Sequence, residues 1–207
     1  MAFVKQKSAP FDGEDRRLRE RNCADLLMEL EDASPSARRW AARDLVHCPK
    51  AAATLVSRLK FEEDIAVREV ILTTLIQLDD ASAIGGLVEC LRSDDAALRN
   101  EVIEAMKQLP SEVAPIMRSL LADPETDVRI FAVNILESLR HPEVESWLVA
   151  VIEADAHVNV CAAAVDLLSE VGTAVAAPPL SRLKLRFAQE PYIQFAADLA
   201  LKRIGED

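Results

Sequence analysis

The sequence predicts an all-α, right-handed solenoid of about six antiparallel helix pairs. Three observations carry that prediction: an apolar spacing that recurs six times, a nearly constant repeat length, and a composition poor in aromatic residues. The recurring spacing is anchored at Ala37, Val67, Leu98, Val128, Val160 and Ile193. Four residues after each anchor stand Ala41, Ile71, Val102, Ala132, Ala164 and Ala197, and eight after it Leu45, Leu75, Met106, Leu136, Leu168 and Leu201. Eleven after it come Cys48, Leu78, Leu109, Leu139, Val171 and Ile204. These offsets return to one face of a 3.6-residue helix, so every unit contains a helix buried along one stripe, here called helix B. Successive anchors lie 30–33 residues apart, which leaves room for one further helix, helix A, and two short turns. Repetition at such a period means stacked supersecondary units. With 50% hydrophobic but only 4% aromatic residues, the core is built of Ala, Leu, Val and Ile, which suits close helix stacking.

In chain order, residues 1–13 lack the repeat and mix Lys, Ser, Pro and Asp, so they read as a tail, with residues 14–207 as a single solenoid. The first A helix is expected around Leu26–Leu30, and Ser34-Pro35 opens the first B helix, a capping side chain placed before a proline at the first helical position. The next A helices fall on Leu55–Leu59 and Leu87–Leu91. Pro110-Ser111 separates the third B helix from the fourth A helix, Ile116–Leu121, whose Pro115 sits near the end of the first turn, where proline is tolerated. Asp123-Pro124 is expected to open the fourth B helix. His141-Pro142 and Gly172-Thr173 then precede the A helices around Trp147–Ile152 and Leu180–Leu183.

Charge and motif content restrict the function. The chain carries 24 basic and 35 acidic side chains, a net of −11, whereas a nucleic-acid groove needs a basic stripe to displace counterions from phosphates. Nucleic acid is therefore not an expected partner. No run approaches the roughly 18 apolar residues of a membrane span, and the N-terminus lacks an apolar core with a small-residue cleavage site, so a cytoplasmic protein without membrane contact is expected. Cys23, Cys48, Cys90 and Cys161 are far apart, with no CxxC pair and no histidine at metal-ligand spacing, and read as reduced structural cysteines. The sequence holds no GxSxG, no phosphate-binding glycine loop and no Cys/His pairing with an orienting third residue. It is read as non-catalytic, with no cofactor and no metal.

The dipeptides Ala37-Arg38, Val67-Arg68, Leu98-Arg99 and Val128-Arg129, and stretches such as Asp123-Pro124-Glu125-Thr126-Asp127-Val128-Arg129, resemble HEAT-like repeats of the phycobilisome-lyase type over residues 20 to 205. That resemblance implies a stand-alone bacterial HEAT-repeat module. It further implies that Arg38, Arg68, Arg99 and Arg129 form a structural ladder, each pairing with an acidic group or helix-end carbonyl of a neighbouring unit. Cys161 and Gln194 replace arginine in the last two units, whose stacking is then expected to rely more on apolar contact. Deoxyhypusine hydroxylases, another HEAT-repeat family, use His-Glu iron ligands, but His47, His141 and His157 are followed here by Cys48, Pro142 and Val158.

On each B helix the positions two, six and nine after the anchor lie opposite the buried stripe and should line the concave surface that solenoids offer to partners. The face is either plain solvated surface or a binding groove. The second reading makes Arg39, Arg43, Glu69, Asn100, Glu104, Ile130, Asn134 and Asp166 the contact candidates, with Ile76, Phe195 and Leu199 as further apolar groups on it. The expected function is non-catalytic binding of a protein or peptide, as an adaptor or scaffold in a signalling or regulatory complex. The family resemblance supplies the alternative, a bilin lyase-like or chromophore-detaching protein acting on a phycobiliprotein. The identity of the partner and the oligomeric state are not encoded in any motif.

Overall fold

The structure, a computed structural model, describes residues 21–206 except Pro49 and Asp79. The tail expected over residues 1–13 lies outside the described residues. Six A/B pairs follow one another: α1 Cys23–Glu29 with α2 Pro35–Asp44, α3 Ala52–Leu59 with α4 Ile65–Leu78, and α5 Ala81–Cys90 with α6 Ala96–Met106. Then come α7 Pro110–Val113 and α8 Met117–Leu121 with α9 Thr126–Leu136, α10 Val144–Ala154 with α11 Val158–Val171, and α12 Ala177–Arg186 with α13 Pro191–Glu206. Among the described residues no strand occurs. Each B helix contacts the next B helix, and A helices contact A helices, so the chain forms the expected two-layer solenoid with one continuous apolar core between the layers. No described helix is long and apolar enough to cross a membrane.

The caps follow from local chemistry. Asn22 accepts the Asp25 N–H at 3.0 Å while Asp25 accepts the Asn22 N–H, and Asp95 accepts the N–H groups of Ala97 and Leu98 at the start of α6. His157 Nδ1 plays this part for α11 by accepting the Asn159 N–H. Two starts differ from expectation. Asp123-Pro124 does not open the fourth B helix: Asp123 bends the chain by accepting the Glu125 N–H, and α9 begins at Thr126. Pro110 does not separate helices but stands at the first position of α7, which moves Pro115 from a first turn to a helix interior. Lacking an N–H there, Pro115 divides the fourth A helix, and Ala114–Ile116 tighten into a 3-10 turn between α7 and α8.

The buried stripe of the B helices is wider than the anchor, plus four and plus eight positions. Plus five is buried as well, as Ala42, Leu72, Ile103, Val133 and Val165 in the first five units. In the sixth unit that position is Asp198, which is exposed and paired with Lys184. Only the sixth unit lacks a following pair among the described residues, so plus five is the position that meets the next layer. In the A layer, Gly86 lets α5 approach α3: a Cβ there would come within 2.2 Å of Val56 Cγ1.

The cysteines are not all reduced, contrary to the sequence reading. Cys23 at the start of α1 and Cys48 after α2 form a disulfide, their Cα atoms 5.6 Å apart, while Cys90 and Cys161 are free and buried. Packing of α1 on α2 joins two cysteines that lie 25 residues apart in sequence, a proximity that no CxxC spacing announces.

Candidate functional site

The B-helix face owes its regularity to the arginine ladder, which sets one helix against the next. Arg38 donates Nε and Nη2 to the Glu62 carboxylate, both at 2.7 Å, and Nη1 to the carbonyls of Asp32 and Ala33 at 2.9 and 3.1 Å. Arg68 donates to the Glu62 carbonyl and to Asp95, and Arg129 to the Asp123 carbonyl at 2.8 Å and to Asp155 at 2.7 Å. Each of these arginines therefore ties its own A–B turn to the acidic group of the next turn. Among the described residues Arg99 keeps only the carbonyl bond, to Ser93, and lies 5.7 Å from the Phe131 ring; the Asp123 carboxylate is taken instead by Arg92 at 2.7 Å. Glu62 is the most buried acid of the ladder. Burial pushes its carboxyl up, but bonds from Arg38, the Asp64 N–H and Arg58 outweigh this and hold it at about 2.

The last two units, whose stacking the sequence expects to rely more on apolar contact, also carry polar bonds at the ladder position. Cys161 Sγ points to the Asp155 carbonyl at 3.3 Å, and Arg186 of α12 donates to that same carbonyl at 2.8 Å. Gln194 Nε2 donates to the carbonyls of Lys184 and Phe187 at 2.9 and 3.1 Å. Between the fifth and sixth units the clamp persists with a donor from α12, Arg186, while Gln194, at the ladder position, holds the turn of its own unit.

Seven of the eight expected contact residues, Arg39, Arg43, Glu69, Asn100, Glu104, Asn134 and Asp166, are exposed on the B-helix face. Ile130, like Ile76, is half-buried and packs against the core. The structure brings Asn134 and Asp166 together in a cleft of about 240 Å³ between α9 and α11, whose lining includes Glu137, Leu167 and Glu170. Arg39 and Arg43 share the Trp40 ring, at 6.0 and 4.1 Å from its centroid, and Arg43 also pairs with Asp44 at 2.8 Å. Glu104 and Glu137 hold Lys107 between them at 3.0 and 2.9 Å, linking α6 to α9. Glu69 and Asn100 do not line the cleft.

Sequence reasoning missed two groups here. Glu170 follows Asp166 by one helical turn, and that spacing alone could have found it. Tyr192, the single tyrosine of the chain, donates its hydroxyl to both oxygens of Asp166 at 2.9 and 2.8 Å; this bond raises the phenol above its ordinary pKa, so it stays a donor. Tyr192 begins an exposed stripe along α13, continuing with Phe195 and Leu199, which are 54%, 67% and 39% exposed.

A profile of HEAT repeats matches residues 24–107 and 113–202. The chain belongs to the HEAT-repeat family. The gap between the matched blocks falls where Pro110 opens the divided fourth A helix. A search of the curated proteins returned no match. Among solved structures, TOG3 of Drosophila melanogaster Mini spindles is similar at 13% identity and a TM-score of 0.56, covering 89% of this chain and 95% of that one. Cex1p is similar at 15% identity and a TM-score of 0.54, over 89% of this chain and 43% of that one. A further match, at 16% identity and a TM-score of 0.39, is the complex of CpcE and CpcF of phycocyanin lyase from Nostoc sp. PCC7120, covering 98% and 99% of the two chains. At these identities the TOG3 and Cex1p likenesses speak for the solenoid fold alone.

The HEAT stack carries a second concavity, on its A layer. Trp147 stands between two clefts of about 440 and 510 Å³, the first between α8 and α10 and lined by Arg118, Leu121, Ser146, Ala150 and Val151 among others. His141 stacks on the Trp147 ring at 4.9 Å between centroids, and the buried indole Nε1 finds no hydrogen-bond partner among the described residues. Sequence periodicity treats Trp147 only as a core residue of its A helix.

Proposed function

We propose that this HEAT-repeat chain is a non-catalytic adaptor that docks a protein or peptide partner on its B-helix face, as stand-alone modules of signalling and regulatory complexes do. One observation supports this most directly. The repeats place polar side chains in rows on one exposed face, while the ladder arginines are consumed by bonds between turns. Exposed charges of this kind contribute little to folding, so their rows are free to serve recognition.

Charge reversal of Arg39 and Arg43 together is expected to weaken capture of the native partner while leaving the unfolding temperature unchanged. Partner abundance in pull-downs and a thermal melt measure the two effects. Undiminished capture by that double variant, by Glu104→Lys and by charge reversal of Asp166 as well, would place docking on the A layer or the N-terminal segment instead.

A further inference from the structure

We infer that the cleft between α9 and α11, together with the apolar stripe of α13, docks a cationic amphipathic segment of a partner protein. A lysine or arginine side chain would lie among Glu137, Asp166 and Glu170, and an apolar side chain against Phe195 and Leu199. This rests on the adaptor reading and narrows it to one end of the B-helix face and one chemistry.

Two independent features meet there. The first is charge. The cleft is lined by the carboxylates of Glu137, Asp166 and Glu170 and by the neutral Asn134. Lys107 is already held by Glu104 and Glu137, and Arg203 of α13 donates to the carbonyl and hydroxyl of Ser169 at 3.4 Å. Among the described residues Asp166 accepts the uncharged hydroxyl of Tyr192, and no ion pair forms to Asp166 or Glu170. An acidic occupant would meet like charge, whereas a basic side chain would complete the cleft.

The second feature is apolar. Of the four apolar residues expected on this face, Ile76 and Ile130 fold onto the core, and only Phe195 and Leu199 stay exposed. Both sit on α13, and Tyr192 at the head of the same stripe is bonded to the cleft's own Asp166. The apolar stripe and the acidic cleft are therefore one continuous surface. Neighbouring helices pack about 8–10 Å apart, which puts the cleft roughly 12–15 Å from the α13 stripe. A helix covers that distance in about eight to ten residues and an extended chain in about four. The occupant is thus a segment with its basic and apolar side chains separated by such an interval on one face.

The test is fluorescence anisotropy of the whole protein with a short labelled Leu/Lys amphipathic peptide and its Leu/Glu counterpart. The Leu/Lys peptide should bind, with a Kd that rises with salt, and the Leu/Glu peptide should not. Asp166→Lys with Glu170→Lys should weaken binding by about tenfold or more, and Phe195→Ala with Leu199→Ala by several-fold. A matched reversal of the exposed acids Glu63 and Asp127, which do not line the cleft, should leave the Kd unchanged. Circular dichroism confirms that each variant is folded. Equal loss from the matched reversal would show attraction to net charge only and overturn the inference. So would Ala150→Arg, which fills the A-layer cleft, abolishing binding while the α11 and α13 variants do not. Native-partner capture that depends on Arg39 and Arg43 but ignores Asp166, Glu170, Phe195 and Leu199 would overturn this inference and leave the adaptor reading standing. Capture indifferent to every B-face variant would overturn both.

Discussion

At the seam between the first and second helix pairs the clamp is a buried ion pair, Arg38 with Glu62, and at the seam between the fifth and sixth it is a set of carbonyl bonds from the exposed Arg186. The two seams meet the same geometric need, to bind one A–B turn to its neighbour. They differ in what they risk. A buried ion pair is strongly directional, but removing one partner strands the other charge in the core. A guanidinium on backbone carbonyls at the surface can exchange them for water. The first end of the stack should therefore be sensitive to mutation and acid, and the last end tolerant of both.

The largest effect is expected from Glu62→Gln, which leaves Arg38 without its charged partner and should lower the unfolding free energy by about 3–5 kcal/mol in urea titrations at neutral pH. Its pH dependence sharpens the comparison. The folded carboxyl is held at about 2, below its ordinary 4.5, so its contribution is complete above about pH 4.5 and is lost as pH falls towards 2. The stability difference between parent and Glu62→Gln should shrink through that window; a constant difference would show that the ion pair is not what clamps the first seam.

Leu136→Ala, between the two seams, should cost about 2–5 kcal/mol, because Leu136 is 1% exposed between layers that cannot fully collapse around the void. Its neighbour Glu137 lies outside the stripe, and Glu137→Gln should leave the urea midpoint nearly unchanged. Equal midpoints for the parent and Leu136→Ala would mean the stripe is not the core. Arg186→Ala should have the smallest effect at a clamp, about 1 kcal/mol or less. A loss larger than that of Glu62→Gln would invert the comparison.

The layered fold was legible because period, anchor spacing and breaker residues agree: Val67, Ile71 and Leu75 are buried where the 3.6-residue pattern puts them. The pattern was read too narrowly, since a B helix in a stack touches its own A helix and both neighbouring B helices, and so buries Val133 and Val165 besides the central stripe. The ladder was legible as a one-sided motif, an arginine after each anchor. Its acceptors, a carbonyl six residues back and an acid 24 to 27 residues ahead, depend on the pitch of the stack. The disulfide and the Tyr192–Asp166 bond were not legible, because both join residues about one repeat apart through packing rather than sequence pattern. On the candidate face the exposure of Arg39, Asn134 and Asp166 followed from helical phase, whereas the partial burial of Ile130 depends on packing against the core, which phase alone does not give.

A HEAT stack has no intrinsic length: every layer presents to the next the same face that the previous one presented to it. Asp198 breaks that symmetry with one carboxylate, since it occupies the place where the inner B helices offer Ala42, Leu72, Ile103, Val133 or Val165. A valine at position 198 would lose the pair with Lys184 and leave on the exposed side of α13 the apolar contact that the inner B helices bury, an adhesive surface of the kind from which head-to-tail association starts.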